Sequence, residues 1–493
     1  MLPDYAQFDA TGLAELVAAK EVSRVELWQS ATSAIAALDA ELNAVVHQFD
    51  PPIERTNSEG PFAGVPFLLK DLHGALFGTP LSMGSRLYQD YRCGADSELV
   101  NRLLEAGLVM IGRSNSPEFG LMAATEPVLH GPTKNPWDLR LTAGGSSGGA
   151  AAAVASGMVP MAHASDGGGS IRIPAACCGL FGLKPTRART PQGPEASERW
   201  LGRMVEHVIS RSVRDSAVAL DATEGPELTS LYHAPPLARP YASEMHQTLR
   251  PLRIAFTTEP LLPGTPHADC RRAVEEVASL CESLGHHVEE ARPVMDAQSF
   301  ARDYVTVSGA SVAAELALAE RKIGRSASFE DLEPATWLLR FLGEATTGAQ
   351  AIAAHVELQA RAREVLRFYE PYDVLLTPTL GSPPVPHGRF RSQGFEKRMH
   401  RMVAKRKLRR VLRIPAVVES VASKVFEFIP FTPVANITGQ PAMNVPLVWN
   451  EAGLPIGTMF TGRFGDEATL FQLAFQLEEA RSWMHRRPPA PLR

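Results

Sequence analysis

Cysteines are few in this chain of 493 residues, and their arrangement argues against a disulfide framework. The five cysteines are odd in number, none belongs to a Cys-x-x-Cys pair, and Cys177 and Cys178 are adjacent. Such a set is typical of reduced, buried thiols, so we expect a cytoplasmic protein. Zinc-ligand spacing is also missing among Cys and His. The sequence therefore predicts no metal site, and we expect no cofactor.

Long apolar runs and a strong excess of one charge are missing too. The longest apolar stretch, at about residues 149–162, is broken by glycines and by Pro160, which makes it too short to cross a bilayer. The first residues, Met-Leu-Pro-Asp-Tyr, have neither the basic nor the apolar region of a signal peptide. The net charge of −5 gives no general attraction to nucleic acid. We expect no membrane span and no nucleic-acid partner.

Short apolar runs alternate along the chain with helical patterns. Ser23 and Glu26 form a predicted capping box at the start of one early helix. Strands are predicted at Val65–Leu69, Gly107–Gly112, Met158–Ala164, Leu252–Phe256, Val374–Leu376, Val445–Val448 and Ile456–Phe460, with helices such as Ala268–Leu284 and Glu467–Ala480 between or after them. Strands that alternate with helices predict an α/β fold with a mainly parallel sheet.

Two glycine-rich turns carry serines. The first is Gly144–Gly149, with Ser146 and Ser147, and the second is Asp166–Ser170. A serine flanked by glycines is accessible to a substrate, and the neighbouring main-chain N–H groups can converge on one point. Lys70 follows the apolar run Phe67–Leu69 upstream. Together these residues suggest a serine hydrolase whose base is a lysine.

A lysine acts as a base only in its neutral form, and a serine hydroxyl is a weak nucleophile until its proton is removed. Burial lowers the pKa of a lysine because it disfavours the ammonium form. The apolar residues before Lys70 provide such surroundings. Asp71 would oppose the effect if it faced the amine, and we expect it to point elsewhere.

Other interpretations of these motifs explain less. A phosphate-binding loop needs Lys-Ser or Lys-Thr after its glycines, whereas Ala150 and Ala151 follow here. Gly144–Gly148 matches Gly-x-Ser-x-Gly, but an irregular segment, not an apolar strand, precedes it. His130 and His163 are expected to support neighbouring groups and not to form a Ser-His-Asp triad.

The ordered set of motifs resembles the amidase signature family. The matching segments are Gly64–Asp71, Gly112–Phe119, Asn135–Trp137, Gly144–Gly149, Asp166–Pro174, Gly179–Thr186, Phe431–Pro433, Asn436–Ala442 and Gly453–Gly457. The resemblance implies a mixed, largely parallel twisted sheet with helices on both faces. It also implies one domain over 1–493, with the core signature at 60–190, a variable substrate-shaping region at 190–430 and a return to the core at 431–485.

The resemblance also implies roles for individual residues. Ser170 would be the nucleophile, Ser146 the bridging serine after a cis peptide bond, and Lys70 the base. The main-chain N–H groups that would hold the oxyanion are those of Gly167, Gly168, Gly169 and Ser170. The residues expected to support the two turns are Gly145, Ser147, Asp166 and Arg172. The residues suggested as walls of the substrate pocket are Leu121, Met122 and Ser308.

Within the family, the chain is most similar to the subgroup that contains aminohexanoate cyclic-dimer hydrolase. This implies hydrolysis of linear amides, anilides and nylon-type oligoamides, and the same machinery would also fit a carbamate. An amidotransferase subunit that works with partner subunits is a further alternative. The segment 381–413 is predicted to form a flap, and its basic part, 397–413, is either a solvated helix or a contact for an anionic surface. The sequence leaves open whether the protein forms a homodimer.

Overall fold

The computed structural model describes residues 2–55, 59–391 and 426–489. The strands in these ranges are β1 (Val45–Ile53), β2 (Pro66–Lys70), β3 (Val109–Ser114), β4 (Lys134–Asn135), β5 (Asp138–Thr142), β6 (Met161–Asp166), β7 (Phe181–Lys184), β8 (Val205–Ser210), β9 (Arg253–Phe256), β10 (His287–Glu290), β11 (Val374–Pro378), β12 (Ala442–Trp449) and β13 (Pro455–Gly462).

The α-helices in the same ranges surround these strands. They are α1 (Ala10–Ala18), α2 (Arg24–Leu42), α3 (Glu98–Glu105), α4 (Gly148–Ala155), α5 (Arg172–Cys178), α6 (Val213–Thr223), α7 (Tyr241–Glu244), α8 (Ala268–Ser283), α9 (Ala297–Ile323), α10 (Pro334–Ala345), α11 (Gly348–Phe368), α12 (Thr432–Thr438) and α13 (Glu467–Ala480). The predicted capping box is present at α2, where Ser23 Oγ accepts from Glu26 N–H and the Glu26 carboxylate accepts from Ser23 N–H.

Eleven strands form one mixed sheet in the order β1-β3-β2-β6-β8-β7-β12-β13-β11-β9-β10. The α/β fold with a mixed central sheet is confirmed, but the parallel pairing is less extensive than expected. Within this sheet, β3-β2-β6 and β11-β9-β10 are parallel groups, and the other neighbouring pairs are antiparallel. A short connection joins β12 to β13, which permits antiparallel pairing. Alternation of strands and helices along the sequence does not reveal such hairpins.

Helices cover both faces of the sheet, as the alternation of side chains along β11 shows. Leu375 belongs to an apolar cluster that includes residues of α4, α5 and α11. Val374 and Leu376 belong to a second cluster that includes residues of α8 and α13. Successive side chains of a strand point to opposite faces, so the two clusters lie on opposite sides of the sheet.

The parallel neighbours β2 and β6 position the candidate site. β2 ends at Lys70 and β6 ends at Asp166, and parallel strands present their carboxyl ends at the same edge of a sheet. The first serine turn leads directly into α4, and the second leads into α5. Both turns therefore begin helices that pack against this sheet.

Several expectations extend beyond the described ranges or are not tested by the fold. Of the predicted flap, 381–391 is described, whereas 392–413, with the basic stretch 397–413, lies outside the described residues. The cysteines are all buried and unpaired. In the described ranges, no helix combines the length and the apolar character needed to cross a membrane, and no acidic, His or Cys group is suited to hold a metal. The single-domain division and the cytoplasmic location stay predictions.

Candidate active site

Lys70 is the last residue of β2, and its amine lies fully buried between two serine hydroxyls. Nζ is 2.7 Å from Ser146 Oγ and donates to Ser165 Oγ at 2.9 Å. The main-chain N–H of the same lysine donates to His163 Nδ1 at 3.3 Å. The side chain is 0% exposed. Among the described residues, the buried amine thus has two neutral hydroxyls as hydrogen-bond partners and forms no direct ion pair with a carboxylate.

Burial lowers the pKa of Lys70 to about 7, against an opposing effect of the negative charges of Asp166 and Glu206. The neighbouring Asp71 points away from the amine, as expected. Its carboxylate accepts from the main-chain N–H and the hydroxyl of Ser82, and His130 lies close to it. Near neutral pH, the Lys70 amine is therefore available in its uncharged form for much of the time.

The first serine turn is held by Thr125 and by close main-chain packing. Thr125 Oγ1 donates to Gly144 O at 2.9 Å and accepts from Gly148 N–H at 3.0 Å. The peptide bond between Gly145 and Ser146 is cis. A side chain at Gly145 would place its Cβ 2.8 Å from the main chain of Met122 and Ala124, so the turn needs glycine there.

Ser147, which follows the bridging position, ties this turn to β6. Its hydroxyl donates to Ser165 O at 3.4 Å and accepts from Ser165 N–H at 3.4 Å. Ser165 thus contacts both Lys70 and the first turn. This residue was not predicted from the sequence, because a single serine within β6 gives no sign of which neighbour it faces.

The second serine turn folds around the carboxylate of Asp166. That carboxylate accepts from the N–H groups of Gly169 at 2.7 Å and Ile171 at 3.2 Å, and from Arg172 Nε at 3.0 Å and Nη2 at 2.9 Å. Burial would raise the pKa of Asp166, but the Arg172 charge and the Asn436 amide outweigh it and lower the pKa to about 2. An ionised carboxylate at the centre of the turn fixes the main chain around Ser170.

The bond from Gly169 corrects one expectation about the oxyanion-binding groups. Because its N–H donates to Asp166, it is not directed at a substrate in this structure. Within the described part of the chain, the N–H groups of Gly167, Gly168 and Ser170 have no bonded acceptor. Gly167, Gly168 and Ser170 are all half-buried, so these N–H groups border an accessible space.

A segment near the end of the chain, α12, holds the second turn from the other side. Arg172 Nη1 donates to Thr432 O at 2.9 Å, and Arg172 Nη2 donates to Asn436 Oδ1 at 2.8 Å. Asn436 Nδ2 donates to Asp166 Oδ1 at 2.8 Å, and Thr432 Oγ1 donates to Gly168 O at 2.8 Å. These four bonds join residues more than 250 positions apart in the sequence.

The suggested pocket residues lie at two different places. Leu121 and Met122 are half-buried and follow Gly120, where an added Cβ would be 3.2 Å from Ser146 Oγ. They therefore lie beside the first turn. Ser308 is on α9, is largely buried, and accepts a hydrogen bond from Arg203 Nη1 at 3.2 Å.

Neither histidine near the motifs is placed as the base of a Ser-His-Asp triad. His163 Nε2 lies 3.0 Å from a Glu206 carboxylate oxygen, and its Nδ1 accepts from Lys70 N–H. His130 Nε2 lies 2.8 Å from Ser82 Oγ. Both side chains are bonded to groups other than Ser146 and Ser170, in agreement with a supporting role.

Comparison with known proteins identifies the family. A sequence model of the amidase family matches residues 17–471. The chain belongs to the amidase signature family. It is therefore an enzyme that hydrolyses carbon–nitrogen bonds of amides, and the resemblance stated from the motifs is confirmed.

Relatives in this family cover the chain almost completely. The 6-aminohexanoate-cyclic-dimer hydrolase of a Pseudomonas sp. is 35% identical in an alignment of 489 positions that covers 97% of this chain and 96% of that protein. The putative amidase AmiC of Mycobacterium tuberculosis is 35% identical, with 96% and 95% covered. The structure of 6-aminohexanoate cyclic dimer hydrolase complexed with substrate superimposes with a TM-score of 0.86 at 33% identity, covering 98% of this chain and 99% of that one.

Proposed function

We propose that this amidase works through an acyl-enzyme, with Ser170 as the nucleophile, Ser146 as the bridging hydroxyl and Lys70 as the base. The observation that carries the proposal is the fully buried Lys70 amine, 2.7 Å from Ser146 Oγ and with its pKa lowered to about 7. A neutral amine in contact with a hydroxyl is what activation of a serine requires.

The proposed reaction has two steps, acylation of Ser170 and hydrolysis of the acyl-enzyme. Ser146 passes its proton to the Lys70 amine and takes the proton of Ser170, whose oxygen forms a bond to the substrate carbonyl carbon. Collapse of the tetrahedral intermediate breaks the carbon–nitrogen bond, and the proton returns through Ser146 to the departing amine. Water then attacks the acyl-enzyme by the same proton relay and releases the acid.

The negative charge of the intermediate is assigned to the N–H groups of Gly167, Gly168 and Ser170. Their lack of another acceptor within the described residues supports this assignment, whereas the bond between Gly169 and Asp166 removes the fourth expected donor. Loss of one such donor typically costs about 3–4 kcal/mol of transition-state stabilisation. Asp166 and Arg172 act on the reaction by holding these groups in place.

Small amides are the proposed substrates, including linear amides, anilides and nylon-type oligoamides. The support is the similarity to 6-aminohexanoate-cyclic-dimer hydrolase over 97% of this chain, together with the likeness to a bacterial aryl acylamidase at a TM-score of 0.81 and 26% identity. A carbamate differs by one oxygen and presents the same carbonyl to Ser170. Its hydrolysis would release an amine, an alcohol and carbon dioxide.

The test uses the purified chain and 4-nitroacetanilide, with release of 4-nitroaniline as the signal. Ser170→Ala is expected to abolish turnover, and Ser146→Ala and Lys70→Ala are each expected to lower kcat by a factor of about 100 or more. Ser156→Ala is the matched control, because its hydroxyl bonds to Ala153 O at the end of α4. A Ser170→Ala enzyme that works at the rate of the control would refute the assignment.

The same preparation distinguishes the alternatives. Release of 4-nitroaniline without any added subunit contradicts an obligate amidotransferase subunit. Ethyl N-(4-nitrophenyl)carbamate, assayed beside the anilide, measures the preference for carbamates. Mass spectrometry of the intact protein during turnover tests for the acyl group on Ser170, and light scattering tests for a homodimer.

A further inference from the structure

Arg203 carries a buried positive charge that has only neutral bonding partners among the described residues. Its side chain is 2% exposed. Nε donates to Trp200 O at 2.9 Å, Nη1 to Ser308 Oγ at 3.2 Å and Nη2 to Ser311 Oγ at 3.4 Å. The guanidinium carbon is 5.2 Å from the centre of the Tyr304 ring. A buried charge without a counter-charge is costly, so its retention calls for a reason.

The contrast with Arg172 is informative because both arginines lie near the second serine turn. Arg172 is equally buried, but its guanidinium is paired with the Asp166 carboxylate at 2.9 Å. Arg203 forms no ion pair with any carboxylate of the described residues. Burial lowers the pKa of Arg203, although a guanidinium still stays charged near neutral pH.

The position of Arg203 beside the nucleophile turn follows from two independent contacts. Asn436 Nδ2 donates to Arg203 O at 3.1 Å and to Asp166 O at 3.1 Å, so the two main chains are neighbours. A Cβ on Gly168 would lie 2.6 Å from Tyr304 Oη, and the Tyr304 ring packs against the guanidinium. Arg203 therefore flanks the turn that carries Ser170.

The segment that presents Arg203 has an unusual main-chain conformation. Trp200 has a φ of 53° and Leu201 a φ of 55°, both in the left-handed region, and Gly202 follows with a φ of 74°. Non-glycine residues seldom adopt this region, and two in succession are rarer still. Such strain persists where the surroundings hold it, and it is concentrated at ligand-binding sites.

We propose that Arg203 forms an anion subsite that binds a carboxylate on the acyl or the amine fragment of the substrate. Of the five N–H donors of a guanidinium, the three bonds above use one on each nitrogen, which leaves one N–H on each terminal nitrogen. A guanidinium N–H donates a strong, charge-assisted hydrogen bond to a carboxylate oxygen. The inference rests on the proposed amide hydrolysis and narrows its substrate class to amides that carry a carboxylate.

The experiment compares charged and neutral substrates in matched pairs. The first pair is the mono-4-nitroanilide of adipic acid and the 4-nitroanilide of hexanoic acid, which differ in a carboxylate on the acyl side. The second pair is 4-acetamidobenzoate and acetanilide, which differ on the amine side. For one pair, the wild-type enzyme is expected to show a kcat/KM about tenfold higher for the charged member.

Variants of Arg203 then connect that preference to the guanidinium. Arg203→Gln is expected to lower the ratio of charged to neutral kcat/KM about tenfold or more, and this ratio cancels any general loss of activity that both members share. Arg203→Lys is expected to keep part of the ratio because it retains the charge without the fork of donors. Ser311→Ala is the control, since it removes one bond to Arg203 and leaves the charge.

Each outcome of these assays bears on the carboxylate subsite at Arg203. Equal kcat/KM for both members of both pairs in the wild-type enzyme overturns the subsite, whether or not Arg203→Gln folds. A ratio that survives in folded Arg203→Gln also overturns it. If the wild-type enzyme hydrolyses no member of either pair, the proposed hydrolysis of small amides fails; if it hydrolyses them without a charge preference, only the subsite fails.

Discussion

The protonation of Lys70 is expected to set the pH dependence of the reaction. The amine accepts a proton only when it is neutral, and burial lowers its pKa from the ordinary 10.5 to about 7. With a pKa of 10.5, about one lysine in 3,000 would be neutral at pH 7, whereas about half are neutral with a pKa near 7. The fold therefore supplies a gain of roughly a thousandfold in available base.

The size of the pH effect follows directly from these fractions. Between pH 6 and pH 8, kcat/KM is expected to rise about tenfold and then to level off, because the neutral fraction approaches one. An exposed lysine would produce a rise of about a hundredfold over the same interval, with no plateau before pH 10. The position of the plateau therefore separates a buried base from an exposed one.

The assay measures initial rates with 4-nitroacetanilide, at concentrations well below KM and at constant ionic strength. This substrate does not titrate in the range, so the inflection in kcat/KM belongs to the free enzyme. Lys184 is a necessary control, because burial lowers its pKa to about 7 as well. Its amine bonds to Pro185 O and does not contact Ser146, so Lys184→Met is expected to leave the inflection unchanged.

Two results would contradict the assignment of the pH dependence to a buried Lys70. A rate that rises tenfold for each pH unit up to pH 10 would mean that Lys70 keeps an ordinary pKa. An inflection near pH 7 that disappears in Lys184→Met would assign the titration to the wrong lysine. Samples returned from each pH to pH 7.5 must recover full activity, so that unfolding is not mistaken for titration.

Three further changes test the surroundings of this base. Ser165→Ala removes the hydroxyl that accepts from Lys70 Nζ at 2.9 Å; we expect about tenfold lower kcat/KM and an inflection at lower pH, because that hydroxyl favours the ammonium. Lys70→Met is expected to raise the free energy of unfolding by up to about 4 kcal/mol at pH 7, measured in urea. This gain in the free energy of unfolding is largest below pH 7 and shrinks as the pH rises to 10.5. Between pH 7 and pH 10.5 the unfolded wild-type chain binds a proton at Lys70 that the folded chain lacks, so the wild-type protein becomes more stable as the pH rises. Asp166→Asn leaves Arg172 buried without its counter-charge and is expected to lower the free energy of unfolding by about 3–5 kcal/mol, with no such loss in Ser170→Ala.

The sequence was sufficient for the family, whereas the roles of the individual site residues stay predictions. The resemblance named Lys70 and Ser146, and their side chains are in contact. Ser165 was missed because its orientation depends on how β6 pairs with β2, where Ala162 lies opposite Leu68. Strand register is a tertiary property, and no local pattern around Ser165 contains it.

Other differences have the same origin in long-range packing. Gly169 was expected to bind the oxyanion, and only the folded turn shows that the Asp166 carboxylate takes its N–H. The largely parallel sheet was expected from alternating strands and helices, but antiparallel neighbours occupy the centre of the sheet from β6 to β11. Arg203 attracted no notice because a single arginine after a glycine has no distinctive sequence signal.

The bonds from α12 to the second serine turn have a consequence for how the enzyme is made. A ribosome that has reached residue 431 has already synthesised Lys70, Ser146 and Ser170, yet Thr432 and Asn436 are still missing. Until they emerge, Arg172 and Asp166 lack the bonds that α12 contributes to them. The growing polypeptide therefore contains all three residues of the proposed catalytic set before the helix that holds the second serine turn has been synthesised.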